Sequence, residues 1–277
     1  MIIFDNHLHL RRDGRFLDAV EEFKKSGGTH FVLCQYPMVK TVIKEKSYKT
    51  IYQETLKMAQ EIRDTINIGV FVTVGPYPVD YIHLRELYSK DESIEIMKKG
   101  MDQAAELCRQ GQCVGIGEIG RPHFPVDDEI IKDSNMILTY GMQRAKEVNV
   151  PVIIHSESTT PEQCKELAIM GRRVGLPAEK IVKHFSPPLV LETENYGLMP
   201  SVLASKKNIR EAARKGTRFL METDYIDDPR RPGAVLSPKT VPKRTKYLLE
   251  EGILNKEDLS IIHCENPKKL YNIDLEE

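Results

Sequence analysis

The stretch Asp5-Asn6-His7-Leu8-His9 carries the first residues able to do chemistry. Side chains alternate along a β-strand, so His7 and His9 point the same way. Two imidazoles on one face at a strand end can share a divalent metal. The same kinds of residue recur at the ends of later apolar runs: Glu118, His155, His184 and Asp224. Singly, each is ordinary. A strand-end histidine is often only a hydrogen-bonded side chain, and Asp224 could cap the turn before Tyr225. Jointly they form a pattern, since four of the eight histidines sit at strand ends rather than in helix interiors. Imidazole nitrogen and carboxylate oxygen suit zinc, manganese, iron or nickel and do not separate these, or magnesium, from one another. Thiolates are absent from this set.

The elements that must position these residues are short apolar runs alternating with amphipathic stretches. Strands are expected at 1–4, 29–35, 68–74, 113–118, 150–155, 181–184, 198–203 and 218–222. Helices are expected at 14–26, 48–65, 91–109, 128–148, 161–173, 206–215, 240–251 and 256–272, where apolar residues recur every three or four positions. Eight nearly continuous apolar strands alternating with helices call for parallel pairing, and their count suits an α/β (β/α)8 TIM barrel over a single domain, 1–277. An open doubly wound sheet is the alternative, weakened because no glycine-rich phosphate loop follows the first strand. In a parallel barrel all C-terminal strand ends meet at one rim, so His7, His9, Glu118, His155, His184 and Asp224 are expected to converge there.

Composition narrows the class of protein. The 277 residues carry a net charge of −1, with no basic excess for bulk adhesion to nucleic acid or membrane. Five cysteines with no Cys-x-x-Cys pair indicate neither a disulfide framework nor a thiolate zinc site. Reduced thiols and a cytoplasmic location are expected, with no membrane span and no evident protein partner.

The ordered motifs Asp5-x-His7-x-His9, Gly117-Glu118-Ile119-Gly120, Pro151-Val152-Ile153-Ile154-His155-Ser156, His184-Phe185-Ser186, Glu222-Thr223-Asp224 and Asn266-Pro267-x-x-Leu270-Tyr271 resemble the TatD-related branch of the metal-dependent amidohydrolase superfamily. The resemblance covers nearly the whole chain. It implies a (β/α)8 barrel with one or two divalent metal ions. It implies that His7, His9, Glu118, His155, His184 and Asp224 form the metal centre. Glu118 would bridge two metals, while Asp224 would ligate one and handle the proton of the attacking water. Glu118 and Asp224 are thus the expected catalytic residues.

The substrate-facing loops depart from the family pattern at Gly75-Pro76-Tyr77-Pro78, at Arg121-Pro122-His123 and at Glu157. A carboxylate at 157 would repel a substrate phosphate unless a cation offsets it. Arg121, His123 and Tyr77 are the expected substrate-binding residues, with Tyr81 and His83 as further walls of the pocket. Arg230-Arg231 offer local phosphate contact. Asp5 is expected to orient a ligand histidine, and His263-Cys264 to pack rather than react. The expected activity is metal-dependent hydrolysis of a phosphodiester, as by a 3′-to-5′ exonuclease on single strands. The alternatives are hydrolysis of a small amide, lactone or ester on the same centre, and a non-catalytic metal-binding protein. The partner is accordingly a small molecule or single-stranded nucleic acid.

Overall fold

The computed structural model describes residues 1–228, 230 and 235–275. Among the described residues nine strands, all parallel, are ordered β8-β7-β6-β5-β4-β3-β2-β1-β9. They are β1 Phe4–His9, β2 His30–Cys34, β3 Gly69–Val74, β4 Gly115–Gly120, β5 Val152–His155, β6 Ile181–Ser186, β7 Met199–Leu203, β8 Leu220–Glu222 and β9 Tyr225–Ile226. β8 and β9 together occupy the eighth strand position, broken at Thr223-Asp224. The first part pairs with β7, Leu203 opposite Glu222. The second pairs with β1, Leu8 opposite Tyr225 and His9 opposite Ile226. That change of partner closes the sheet into an α/β barrel of the TIM type.

The expected helices are present with shifted ends. Pro161–Val174 shows why its boundaries were readable: the Thr160 side chain and Gln163 form a capping box, Pro161 opens the first turn, and Gly175 ends it at φ 77°. Short helices at Val39–Glu45, Asp80–Arg85 and Glu192–Asn195 lie outside the expected helices. The second of these moves Tyr81 away from its expected place. Tyr81 is buried and donates to Asp133 Oδ2 at 2.7 Å. His83 stands on the surface beside Glu86. Neither walls the mouth.

The chain ends as one helical path, Lys256–Ser260, a π-turn at Ile261–Glu265, then Asn266–Tyr271. It seals the foot of the barrel. His263 is fully buried there, with Nδ1 accepting from the Phe4 backbone N–H at 3.2 Å and Nε2 2.8 Å from Thr245 Oγ1. Burial pushes its pKa down to about 4. His30 lies at the same end, stacked near Phe4 and Phe71. Among the described residues no helix is long and apolar enough to cross a membrane.

Candidate metal centre

Sequence alone cannot explain why glycines stand at 117 and 120, on either side of Glu118-Ile119, but the packing does. A Cβ on Gly117 would lie 2.5 Å from Ile153 Cβ, and one on Gly120 only 1.9 Å from the His155 carbonyl oxygen. Gly120 also adopts φ +146°, a conformation that side chains avoid. The close approach of β4 to β5 brings Glu118 and His155 together, with Oε1 3.0 Å from His155 Nδ1.

Glu118 is the hub. Its Oε1 lies 3.0 Å from His184 Nε2 and 3.7 Å from His7 Nε2, and its Oε2 is 3.5 Å from His9 Nε2. The Nε2 atoms of His7 and His9 face each other at 3.1 Å. Asp224 Oδ1 lies 3.8 Å from both. It is held by its own N–H, which donates to the His7 carbonyl at 3.0 Å, where the chain takes φ 48° between β8 and β9. All six expected residues therefore meet at the C-terminal rim.

Two donor groups share Glu118. One is His7, His9, Cys34 and Glu118; the other is Glu118, His155 and His184; in each, one ligand atom per residue lies within 4.8 Å of the rest. Cys34 ends β2 and was not legible as a neighbour of this cluster. A lone cysteine at a strand end gives no spacing signal, and its thiol is found here only because β2 lies beside β1.

Further bonds fix how the rings face. His9 Nδ1 meets the Gln35 carbonyl at 3.0 Å, leaving Nε2 inward. His184 Nδ1 meets Glu222 Oε1 at 3.0 Å, and Glu222 also accepts from the Phe185 N–H at 2.7 Å and from Ser201 Oγ. Such outer partners set the tautomer and orientation of metal-ligating imidazoles. Ser201 Oγ in turn accepts from Asn6 Nδ2 at 3.0 Å, and Asn6 Oδ1 accepts from Tyr271 Oη at 2.8 Å. Asp5 does not touch an imidazole. It accepts from the His7 and Thr223 backbone N–H groups and from Thr223 Oγ1, fixing the backbone on either side of the cluster.

Electrostatics separate the donors. Burial, together with the positive potential of neighbouring rings, holds His7 well below its usual pKa, and burial lowers His9 and His155. Burial also opposes charge on His184, but Glu222 and Glu118 outweigh it and raise its pKa well above the usual range. Burial opposes ionisation of Glu118 as well, yet the His155 and His184 rings hold its pKa well down. Asp224 is raised, by burial first and then by Glu222, Glu118 and Asp5 acting against His184. Four imidazoles crowded on one carboxylate, three of them held toward the neutral form by burial, with His7 Nδ1 lacking a partner among the described residues, form a donor set that fits divalent cations.

Above the cluster opens a cavity of about 500 Å³, walled by Tyr36, Tyr77, His123, Glu157, Lys183 and Phe185 among others. Tyr77 Oη and His123 Nδ1 stand 3.4 and 2.9 Å from His155 Nε2. Arg121 is buried and lies off this wall, its guanidinium 3.0 Å from Glu157 Oε1 and 2.9 Å from Glu166 Oε1. It is the cation that offsets Glu157. Arg230 pairs with Asp228, while Arg231 falls outside the described residues. Lys183 is buried beside His184; burial lowers its pKa to about 8, against Glu222 and Glu157.

Over residues 4–272 the sequence matches the family described as TatD related DNase. It is 37% identical to the uncharacterized protein MJ1127 of Methanocaldococcus jannaschii, across 99% of this chain and 97% of that one. It is 23% identical to the uncharacterized metal-dependent hydrolase YabD of Bacillus subtilis, across 99% of this chain and 100% of that one. The fold is similar to that of the phosphotriesterase homology protein of Escherichia coli, solved with phosphate in its active site. The TM-score is 0.64 at 10% identity, across 97% of this chain and 98% of that one. Because the match starts at the first residue of β1 and runs to the end of the last helix, it takes in the entire barrel, and the chain belongs to the TatD family of metal-dependent hydrolases.

Proposed function

We propose that the protein hydrolyses phosphodiesters over the cluster built on Glu118, acting on small diesters or on the terminal residue of a single strand. The observation that carries this reading is Glu118 shared by two donor groups at the base of one cavity. A volume of about 500 Å³ suits a small molecule or one end of a chain and does not suit a duplex. The phosphate in the active site of the Escherichia coli protein of similar fold agrees in chemistry.

His7, His9, Glu118, His155, His184 and Asp224 would hold one or two divalent cations. Bound cations would lower the pKa of water and stabilise charge on the phosphoryl oxygens. The chain's own residues do the rest. Asp224 Oδ1, beside His7 and His9, takes the proton of the attacking water and returns it to the leaving oxygen. Tyr77 and His123 stand over His155 and contact the leaving group. Arg121 neutralises Glu157, so the wall of the cavity does not repel an anion.

A second reading, hydrolysis of a small ester or lactone, is favoured by the apolar part of the same wall, Pro37, Phe185, Ile226 and Val235. The two are separated by one assay series on purified, metal-analysed protein. The substrates are bis(4-nitrophenyl) phosphate, a single-stranded oligonucleotide and a lactone panel. Turnover of the first two, abolished by chelation and restored by metal, is expected. Turnover of lactones alone overturns the phosphodiester reading.

A further inference from the structure

Lys183 precedes His184 on β6, so strand alternation turns its stem to the opposite face. There it lies near Cys164 of the helix Pro161–Val174. The long stem then carries the ammonium back to the rim, as snorkelling lysines do. Nζ donates to the His184 carbonyl at 2.5 Å, and the residue lines the same cavity as Glu118, His155 and Asp224.

An ammonium has three donors, and among the described residues this one has a single hydrogen-bond partner and no ion pair. The acids around it are engaged elsewhere. Glu157 is paired with Arg121, Glu222 with His184 and the Phe185 N–H, and Glu118 with His155 and His184. The side chain is only 2% exposed. A buried cation without a counter-ion is costly to fold. The residue is therefore poorly explained by stability, and it lines the cavity a substrate would fill.

We propose that Lys183 is a specificity residue whose free N–H donors receive a second oxyanion of the substrate, a carboxylate or phosphate separate from the bond being hydrolysed. This deepens the reading above, since it rests on reaction over Glu118, and it names the substrate as a compound with two anionic groups. Neutral lactones and simple esters offer nothing to this site.

The test uses the full-length protein loaded with the metal it retains on purification, and binding rather than turnover. Methylphosphonate presents one anion. 3-Phosphonopropionate adds a carboxylate, and propane-1,3-bisphosphonate adds a phosphonate. Calorimetric titration is expected to show at least one of the two longer probes binding about tenfold tighter than methylphosphonate. Lys183→Met should abolish that excess, leave methylphosphonate affinity unchanged, and match or exceed the wild-type thermal midpoint, because it replaces an unpaired buried charge with an apolar chain. Lys183→Arg should keep most of the excess. Whichever longer probe shows the effect identifies the anion as carboxylate or phosphate. Equal affinities for all three probes in the wild type, or an equal loss for all three in Lys183→Met, overturn the proposal. Should Lys183→Met fail to load metal, Lys183→Gln is read against the same outcomes. Because no turnover is needed, a protein inactive on phosphodiesters can still show the effect, which separates failure of the functional reading from failure of this one.

Discussion

Asp5 and Thr223 are 218 positions apart and joined by two hydrogen bonds, from Thr223 N–H to Oδ1 at 3.0 Å and from Thr223 Oγ1 to Oδ2 at 2.7 Å. The pair clasps the first strand to the break in the eighth, one residue before Asp224. Asp5→Ala leaves the buried Thr223 N–H and hydroxyl without their acceptor, at a cost of about 1–3 kcal/mol each at most. A lower urea midpoint and a lower turnover are expected together. An Asp5→Ala protein as stable and active as wild type would show that the clasp is idle.

Glu118 serves both donor groups, so Glu118→Gln is expected to weaken metal binding at both. Affinity should fall by at least about 100-fold, more than for loss of an outer partner. Elemental analysis after gel filtration checks this. Retention of the full wild-type complement would remove Glu118 from the hub.

Asp224 is assigned the proton, not the main hold on the cations. Asp224→Asn is therefore expected to retain most of the metal and to lose about 10²–10⁴-fold in turnover. Metal content and kcat measured on one preparation decide it. A fully active Asn variant refutes the role.

His263 supplies a pH dependence of stability far from the cluster. Its folded pKa is about 4, against an ordinary value of 6.5. Between these values the unfolded chain binds the extra proton, so stability is intact above pH 6.5 and falls as pH drops toward 4. The full loss is about 3 kcal/mol. His263→Gln should flatten this part of the profile when denaturation midpoints are compared across that range. A variant with the wild-type slope would place the dependence on other groups.

Much of the fold and cluster is legible because the chemistry lies at strand ends, where an apolar run gives way to His, Glu or Asp. β1, β4, β5 and β6 each announce their ligand in this way. The eighth run announces Asp224 too but not its own break: Asp224 sits in a left-handed turn that splits the strand, and no hydrophobic pattern encodes a change of pairing partner. Tyr81 misleads because the turn of helix at Asp80–Arg85 is too short to show periodicity, and one turn suffices to reverse a side chain. Arg121 follows the Gly-Glu-Ile-Gly motif and reads as a mouth residue, yet its partners Glu157 and Glu166 come from a different loop and helix. Lys183 is hidden by the alternation rule itself. Only the reach of a four-carbon stem returns its charge to the rim.

The line Tyr271–Asn6–Ser201–Glu222–His184 runs from the closing helix to an imidazole of the cluster without leaving the protein interior. Barrels are commonly divided into a foot that confers durability and a rim that confers chemistry. That division is breached here. A tag, truncation or crystal-engineering change at the carboxyl end would be felt as a turned ring at the opposite pole, so the tail of this enzyme is better treated as part of its working parts than as a handle.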